Sequence, residues 1–204
     1  MARTNGTFLY RAYSEDALDF ASKNAHVLVL DWWKMHIPQH HLRYTDASLE
    51  GASMRGHISI LGWWKDSGLA LKLGRVVDLA SGVGHVDVLS WWLQSGLQFT
   101  YKEAMSQASN NGRVNVLDWW KESGLRLLYD TQALVGATLH NKPEALEWWK
   151  RSGLAIEYRI CDIEEALEDA PGGGAGARAW WMVQDVNFRA SNKEWSEMRL
   201  LTCA

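Results

Sequence analysis

The side chains of this sequence that could do chemistry are seven histidines, a cluster of carboxylates, a glycine run and two cysteines. His26, His57 and His85 recur in step along the chain. A ladder at helix-packing distance would hold their rings roughly 10 Å apart, whereas zinc needs ligands about 2 Å from the ion. Such histidines cannot chelate together and are expected to bond nearby backbone at a turn. His36, His40 and His41 lie closer, with no cysteine or carboxylate beside them, so their residue types leave a surface metal site open. Asp162, Glu164, Glu165, Glu168 and Asp169 read as a solvated face at a helix start, where carboxylates complement the dipole, rather than as paired catalytic carboxylates. The run Gly172-Gly173-Gly174-Ala175-Gly176 follows no strand pattern and carries no Lys-Ser/Thr, so it makes a poor phosphate loop. No nucleophile elbow, His-Glu-x-x-His pair or dinucleotide fingerprint occurs. The sequence therefore assigns no catalytic residue, no cofactor and no metal, and the chain reads as a non-enzyme.

Bulk properties narrow the partners. Acidic residues outnumber basic ones, 24 to 21, for a formal charge of -3, which is not the footprint of a nucleic-acid binder. No apolar run approaches the roughly 20 residues that a bilayer requires, and Met1–Gly6 has no apolar leader core. Cys161 and Cys203 form no Cys-x-x-Cys pair and are too few for a disulfide framework. A reducing, cytoplasmic setting is the expectation.

The elements that position these residues come from the tryptophans. Of thirteen, twelve stand in pairs: Trp32-Trp33, Trp63-Trp64, Trp91-Trp92, Trp119-Trp120, Trp148-Trp149 and Trp180-Trp181. First members are spaced by 31, 28, 28, 29 and 32 residues, a period that signals stacked repeats. In five copies an alanine (Ala21, Ala52, Ala80, Ala108, Ala137) precedes the pair by 11 residues. An aliphatic residue stands three before each alanine: Leu18, Leu49, Val77, Met105, Leu134 and, in the sixth copy, Leu167. This spacing predicts a short first helix with one apolar stripe. A Gly-His or Asn-Gly step breaks it, and a second helix then carries the tryptophans. Lys-x-Ser-Gly-Leu, as at Lys65–Leu69, closes that helix with a basic last turn and a glycine stop. The tryptophans themselves read as core rather than as a ligand platform, because a periodic aromatic stripe on a helix is usually buried and no basic groove accompanies them.

Ala80-Ser81-Gly82-Val83-Gly84-His85-Val86-Asp87-Val88-Leu89-Ser90-Trp91-Trp92, closing at Gly96-Leu97, resembles the ankyrin repeat, with tryptophans where that family usually has leucines. The resemblance covers about residues 14–188. The Thr-Pro-Leu-His opening is missing, and the 28-residue period is shorter than the family's, about 33. The shortfall lies in the linker, so the β-hairpin fingers should be stunted. The fold class expected is all-α: an ankyrin-like α-solenoid in a single repeat domain over 1–204. Its six repeats span about 14–40, 45–71, 73–99, 101–128, 130–157 and 162–188, with 189–204 as a C-terminal capping helix or tail.

A solenoid leaves a long concave surface for partners. The resemblance implies a protein-interaction scaffold whose contact positions follow the alanine pair: Lys23, Asn24, Met54, Arg55, Asn110, Asn111 and His140, with Gly82, Val83 and Leu139 in the same places. Tyr44, Tyr101 and Tyr129 join them because tyrosine is enriched at interfaces. The partner is an unidentified protein, with neither nucleic acid nor membrane expected. The alternative is a structural protein that assembles end to end with copies of itself, because uncapped repeat faces make heterologous contacts that propagate as filaments. Phe8, Leu9 and Tyr10 at one end, and Trp195 and Met198 at the other, would carry that assembly. No polar N-terminal cap is visible, so the chain is expected to be a piece of a longer array or to meet a partner at that end.

Overall fold

In the computed structural model, residues 14–184 are described, and all of their regular structure is helical. Twelve α-helices come in six pairs. They are α1 (Asp16–Lys23) with α2 (Val27–His36), α3 (Ala47–Met54) with α4 (Ile58–Asp66), and α5 (Val76–Val83) with α6 (Val86–Gln94). Then follow α7 (Ala104–Asn110) with α8 (Val114–Glu122), α9 (Gln132–Leu139) with α10 (Pro143–Ser152), and α11 (Ile160–Glu168) with α12 (Ala175–Gln184). The alternating segments between pairs, such as Leu125-x-Leu127, are outside the helices and form no strand among the described residues. The expected helix over 192–201 and the last alternating segment at Val186–Phe188 lie outside the described residues.

Two compact units divide the chain: residues 1–80 with 85–101, and residues 81–84 with 102–204. Within the first, α1 packs on α3 and α2 on α4. Within the second, α7 packs on α9 and α9 on α11, while α8 meets α10 and α10 meets α12. Each unit thus has a layer of first helices and a layer of second helices.

Local chemistry sets the helix ends. The residue that must turn left-handed between partners is Gly56, Gly84 or Gly112 in three copies, but Ala25 (φ 59°) in the first and Asn141 (φ 53°) in the fifth. Only glycine and, less readily, asparagine adopt that conformation without steric cost, so Ala25 is strained. Downstream, the serine of Ser-Gly-Leu donates to the second tryptophan's carbonyl and accepts the N–H of the leucine, as Ser67 does with Trp64 (2.7 Å) and Leu69 (3.1 Å). Ser95, Ser123 and Ser152 repeat it. Orphan carbonyls of the last turn are satisfied in this way.

The core is built from the expected stripe. Leu18, Leu49, Val77, Met105, Leu134 and Leu167 are buried, as are the alanines from Ala21 to Ala170. The tryptophan pairs behave unequally, which corrects the expectation that both members are core. The second members Trp64, Trp92, Trp120, Trp149 and Trp181 are at most 2% exposed, whereas among the first members only Trp148 is buried. Adjacent residues on a helix point about 100° apart, so one indole enters the core and its neighbour lies at the rim. All six pairs meet edge to face at 4.9–5.3 Å.

Each buried indole is also hydrogen-bonded backward, to the first helix of the preceding pair. Trp64 donates to Ser22 (2.9 Å), Trp92 to Ser53 (3.1 Å), Trp120 to Ser81 (3.1 Å), Trp149 to Ser109 (2.7 Å) and Trp181 to Thr138 (2.9 Å). First members of the pairs reach carboxylates one repeat back: Trp63 to Asp31 (2.6 Å), the buried Trp148 to Asp118 (2.5 Å) and Trp180 to Glu147 (2.9 Å). The bond from Trp180, with help from Arg151, holds Glu147 below the usual carboxylate range. Within each unit the ladder therefore fixes the register of a helix pair on the one before it. Cys161 on α11 is buried. The chain's other cysteine, Cys203, lies outside the described residues.

Candidate partner-binding cleft

In the first unit, neighbouring first helices are tied by carboxylates. Asp19 on α1 accepts the Thr45 N–H (3.0 Å), the Thr45 hydroxyl (2.6 Å) and the Ser48 hydroxyl at the start of α3. Glu50 on α3 accepts the Arg75 N–H (2.7 Å) just ahead of α5. The start of α3 is held from the previous repeat in this way, since its own N-cap residue Asp46 makes no side-chain cap. One residue after the aliphatic position the chain reads Asp19, Glu50 and Asp78, then Ser106 and Val135, and an acid again, Glu168, in the sixth copy. The acid is missing in the fourth and fifth copies.

Clefts open at those two positions. One, of about 620 Å3, is lined by Ser106, Asn110, Tyr129, Lys102, Glu103 and Arg126 among others. The next, of about 670 Å3, has an apolar floor of Val135, Leu139 and Ala166, the ring of Tyr158, and a rim of Glu157, Asp162, Glu165 and Asp169. Gln132 borders both. Arg159 is the only basic residue of the second cleft, and it forks onto Asp162 at 2.6 and 3.0 Å. That hydrogen bond holds Asp162 below the usual carboxylate range and raises Arg159. Glu157, Glu165 and Asp169 make no ion pair among the described residues. The second cleft is therefore greasy at its base and net negative at its mouth.

A third cleft, of about 350 Å3, lies among the second helices. Its polar groups are already spent on stacking: Asp118 takes the Trp148 N–H, Lys121 reaches the Ser152 carbonyl (2.8 Å), and Glu147 holds Trp180 and Arg151.

The residues singled out from the sequence fall in several places. Asn110 and Tyr129 line the first cleft, and Leu139 the second. Asn110 extends over Gly136, with its Oδ1 buried and without a hydrogen bond. Asn24, Arg55, Asn111 and His140 are the C-cap residues just past the ends of α1, α3, α7 and α9, at the far end from the linkers. There Arg55 donates to Asn24 Oδ1 (2.9 Å) and Asn111 to the Gln107 carbonyl (2.9 Å). Lys23 and Met54 are half-buried beside them. Tyr44 is buried against Trp64 at 4.7 Å and donates to the Ala70 carbonyl, so it presents little surface to a partner; burial raises its pKa above the usual phenol value. Tyr101 is half-buried against Phe99. Phe8, Leu9, Tyr10, Trp195 and Met198 lie outside the described residues.

Tyr158 was not singled out, yet it stands five residues after Gly153, as Tyr101 does after Gly96 and Tyr129 after Gly124. It stacks on Trp181 at 5.2 Å and keeps 38% of its surface. The longer acidic linker that follows it obscured a signal the period contained. Among the histidines, His57 Nε2 lies 3.1 Å from the Lys23 carbonyl one repeat back, and the ring of His85 lies over Gly56. His36 stacks on Trp32 with Nδ1 at 2.8 Å from its carbonyl, while the His40 and His41 rings are 4.2 Å apart. No group of three or more histidine, cysteine or acidic side chains is placed to hold a metal among the described residues. No described helix is long and apolar enough to cross a membrane.

Compared with known protein-family models and with curated proteins, the sequence matches none.

Proposed function

We propose that this chain is an ankyrin-like repeat scaffold that binds another protein in the clefts along α7, α9 and α11. The observation that carries the reading is the loss of the inter-helix acid at Ser106 and Val135, where the clefts open. The recurring helix pairs, the left-handed turn inside each pair and the short linkers agree with an ankyrin-like solenoid whose fingers are stunted. A concave surface built of first helices and linkers is where such arrays seat partners. Its chemistry specifies the partner: an extended segment with a lysine or arginine beside apolar side chains. The cation would meet Glu157, Glu165 and Asp169, and the apolar groups would cover Val135, Leu139 and Tyr158. An acidic mouth does not suit a phosphate backbone.

A peptide-display selection against the purified chain tests this. Enriched peptides should carry a basic residue within two positions of a large apolar one. They should bind the Glu165→Lys, Asp169→Lys double variant at least about tenfold more weakly, which is the loss of one well-desolvated charge contact. Peptides that bind both proteins equally would place the site elsewhere.

A further inference from the structure

The first helix pair differs on its outer side from the second to fifth pairs; in the sixth, Val183 at the Met35 position is likewise exposed. Leu28 is 84% exposed and Met35 80%, with Trp32 at 44%, Val29 at 41% and Phe20 of α1 at 59%. Leu28, Trp32 and Met35 stand at i, i+4 and i+7, so they form one stripe along α2. In the second to fifth copies the Leu28 position is Ser59, Asp87, Asn115 and Glu144, and the Met35 position is Asp66, Gln94, Glu122 and Arg151. All eight are exposed. The Val29 position, by contrast, is Ile60, Val88, Val116 and Ala145, each fully buried. One more repeat stacked ahead of α1 would cover Val29 but leave Leu28 and Met35 in water. Whatever covers this stripe reaches farther than a repeat does.

We propose that α2 is a dimerisation face, on which a second copy of this chain packs its own α2 about a two-fold axis. The stripe carries no charge that self-pairing would oppose. Asp31 is engaged by the Trp63 N–H, and Lys34 lies over the Trp63 ring at 5.9 Å, so both nearby charges on α2 are turned to α4. An isologous interface needs only a self-complementary patch. Each copy must supply about 600–800 Å2 for an interface at the low end of stable complexes, and five large, substantially exposed apolar side chains with their surroundings are of that order. A tryptophan and a methionine are residue types that interface centres favour. Head-to-tail stacking fits less well. Trp63, Trp148 and Trp180 each find a carboxylate one repeat back, but the residue ahead of the last pair is Ala179, and the position of the buried serine is Pro171. A tail face built that way offers the Trp32 indole no acceptor.

Light scattering of the full chain over a hundredfold concentration range decides the matter. The mass should rise from 23.1 kDa to a plateau at twice that value. Leu28→Asp and Met35→Gln install residues that Asp87 and Gln94 already occupy at the matching exposed positions, so both variants should keep the wild-type circular dichroism and melting temperature. Each should weaken dimerisation by at least about tenfold. Four outcomes would overturn the proposal: a constant mass of 23.1 kDa, a mass that climbs past the dimer without a plateau, a Leu28→Asp variant that dimerises like the wild type, or dimerisation that appears only after residues 1–13 are removed. The third would move the interface elsewhere, and the last would make residues 1–13 the cover.

Discussion

A buried indole gains and risks on the same atom. Covering one tryptophan removes 150–250 Å2 from water, worth roughly 4–6 kcal/mol before entropy, but its N–H must find an acceptor inside. Ser53 supplies it for Trp92 at 3.1 Å, with both side chains fully buried. Ser53→Ala should therefore cost about 1–3 kcal/mol, the desolvation penalty of an orphaned donor, in urea unfolding. Adding Trp92→Phe to it should cost less than the two single losses summed, because the orphan disappears with the indole. A Ser53→Ala loss under about 0.5 kcal/mol, no more than an ordinary surface change, would mean that the indole bond contributes nothing. The serine recurs after the alanine in the first four copies, but nothing in the sequence marks it as an acceptor. Its donor lies 39 residues on, and only the helix packing says which repeat it serves. The unequal pair was hidden for a related reason: Trp-Trp reads as two equal hydrophobes until the helix axis separates them.

At the scale of the element, the starts of α3 and α5 are held by a carboxylate from the repeat before. Asp19→Ala removes the acceptor shared by the Thr45 N–H, the Thr45 hydroxyl and the Ser48 hydroxyl, and should cost about 1–2 kcal/mol, as loss of a helix cap does. Amide exchange should quicken at the start of α3 before the rest of the first unit. Ser106→Ala at the equivalent place on α7 should cost less than about 0.5 kcal/mol; an equal loss at both would contradict the account of why the clefts open. The helix pairs, their turns and their stops were readable because each is local: an alanine, a left-handed glycine and a Ser-Gly-Leu closure within one period. The clefts were not, since they arise from two absent carboxylates and the tie each would have made to the next repeat. Of the contact positions inferred by resemblance, Asn110 and Leu139 line the clefts, as does Tyr129, chosen for its residue type, while Asn24, Arg55, Asn111 and His140 sit at the far helix ends.

Across the whole molecule, charge and apolar surface separate into distinct places. The acidic rim at Glu157, Asp162, Glu165 and Asp169 lies on the second unit, and the uncharged stripe at Leu28, Trp32 and Met35 lies on the first. The two surfaces call for different occupants, a basic segment at one and a like surface at the other. The account stands most directly on where a basic-apolar peptide from the display selection lands. Amide shifts recorded on the labelled full chain during a titration with that peptide answer this. The account predicts the largest shifts at residues 131–139 and 157–169, with little change at α8, α10 and α2. Shifts concentrated on α2, or on the second helices around Asp118 and Trp148, would contradict it.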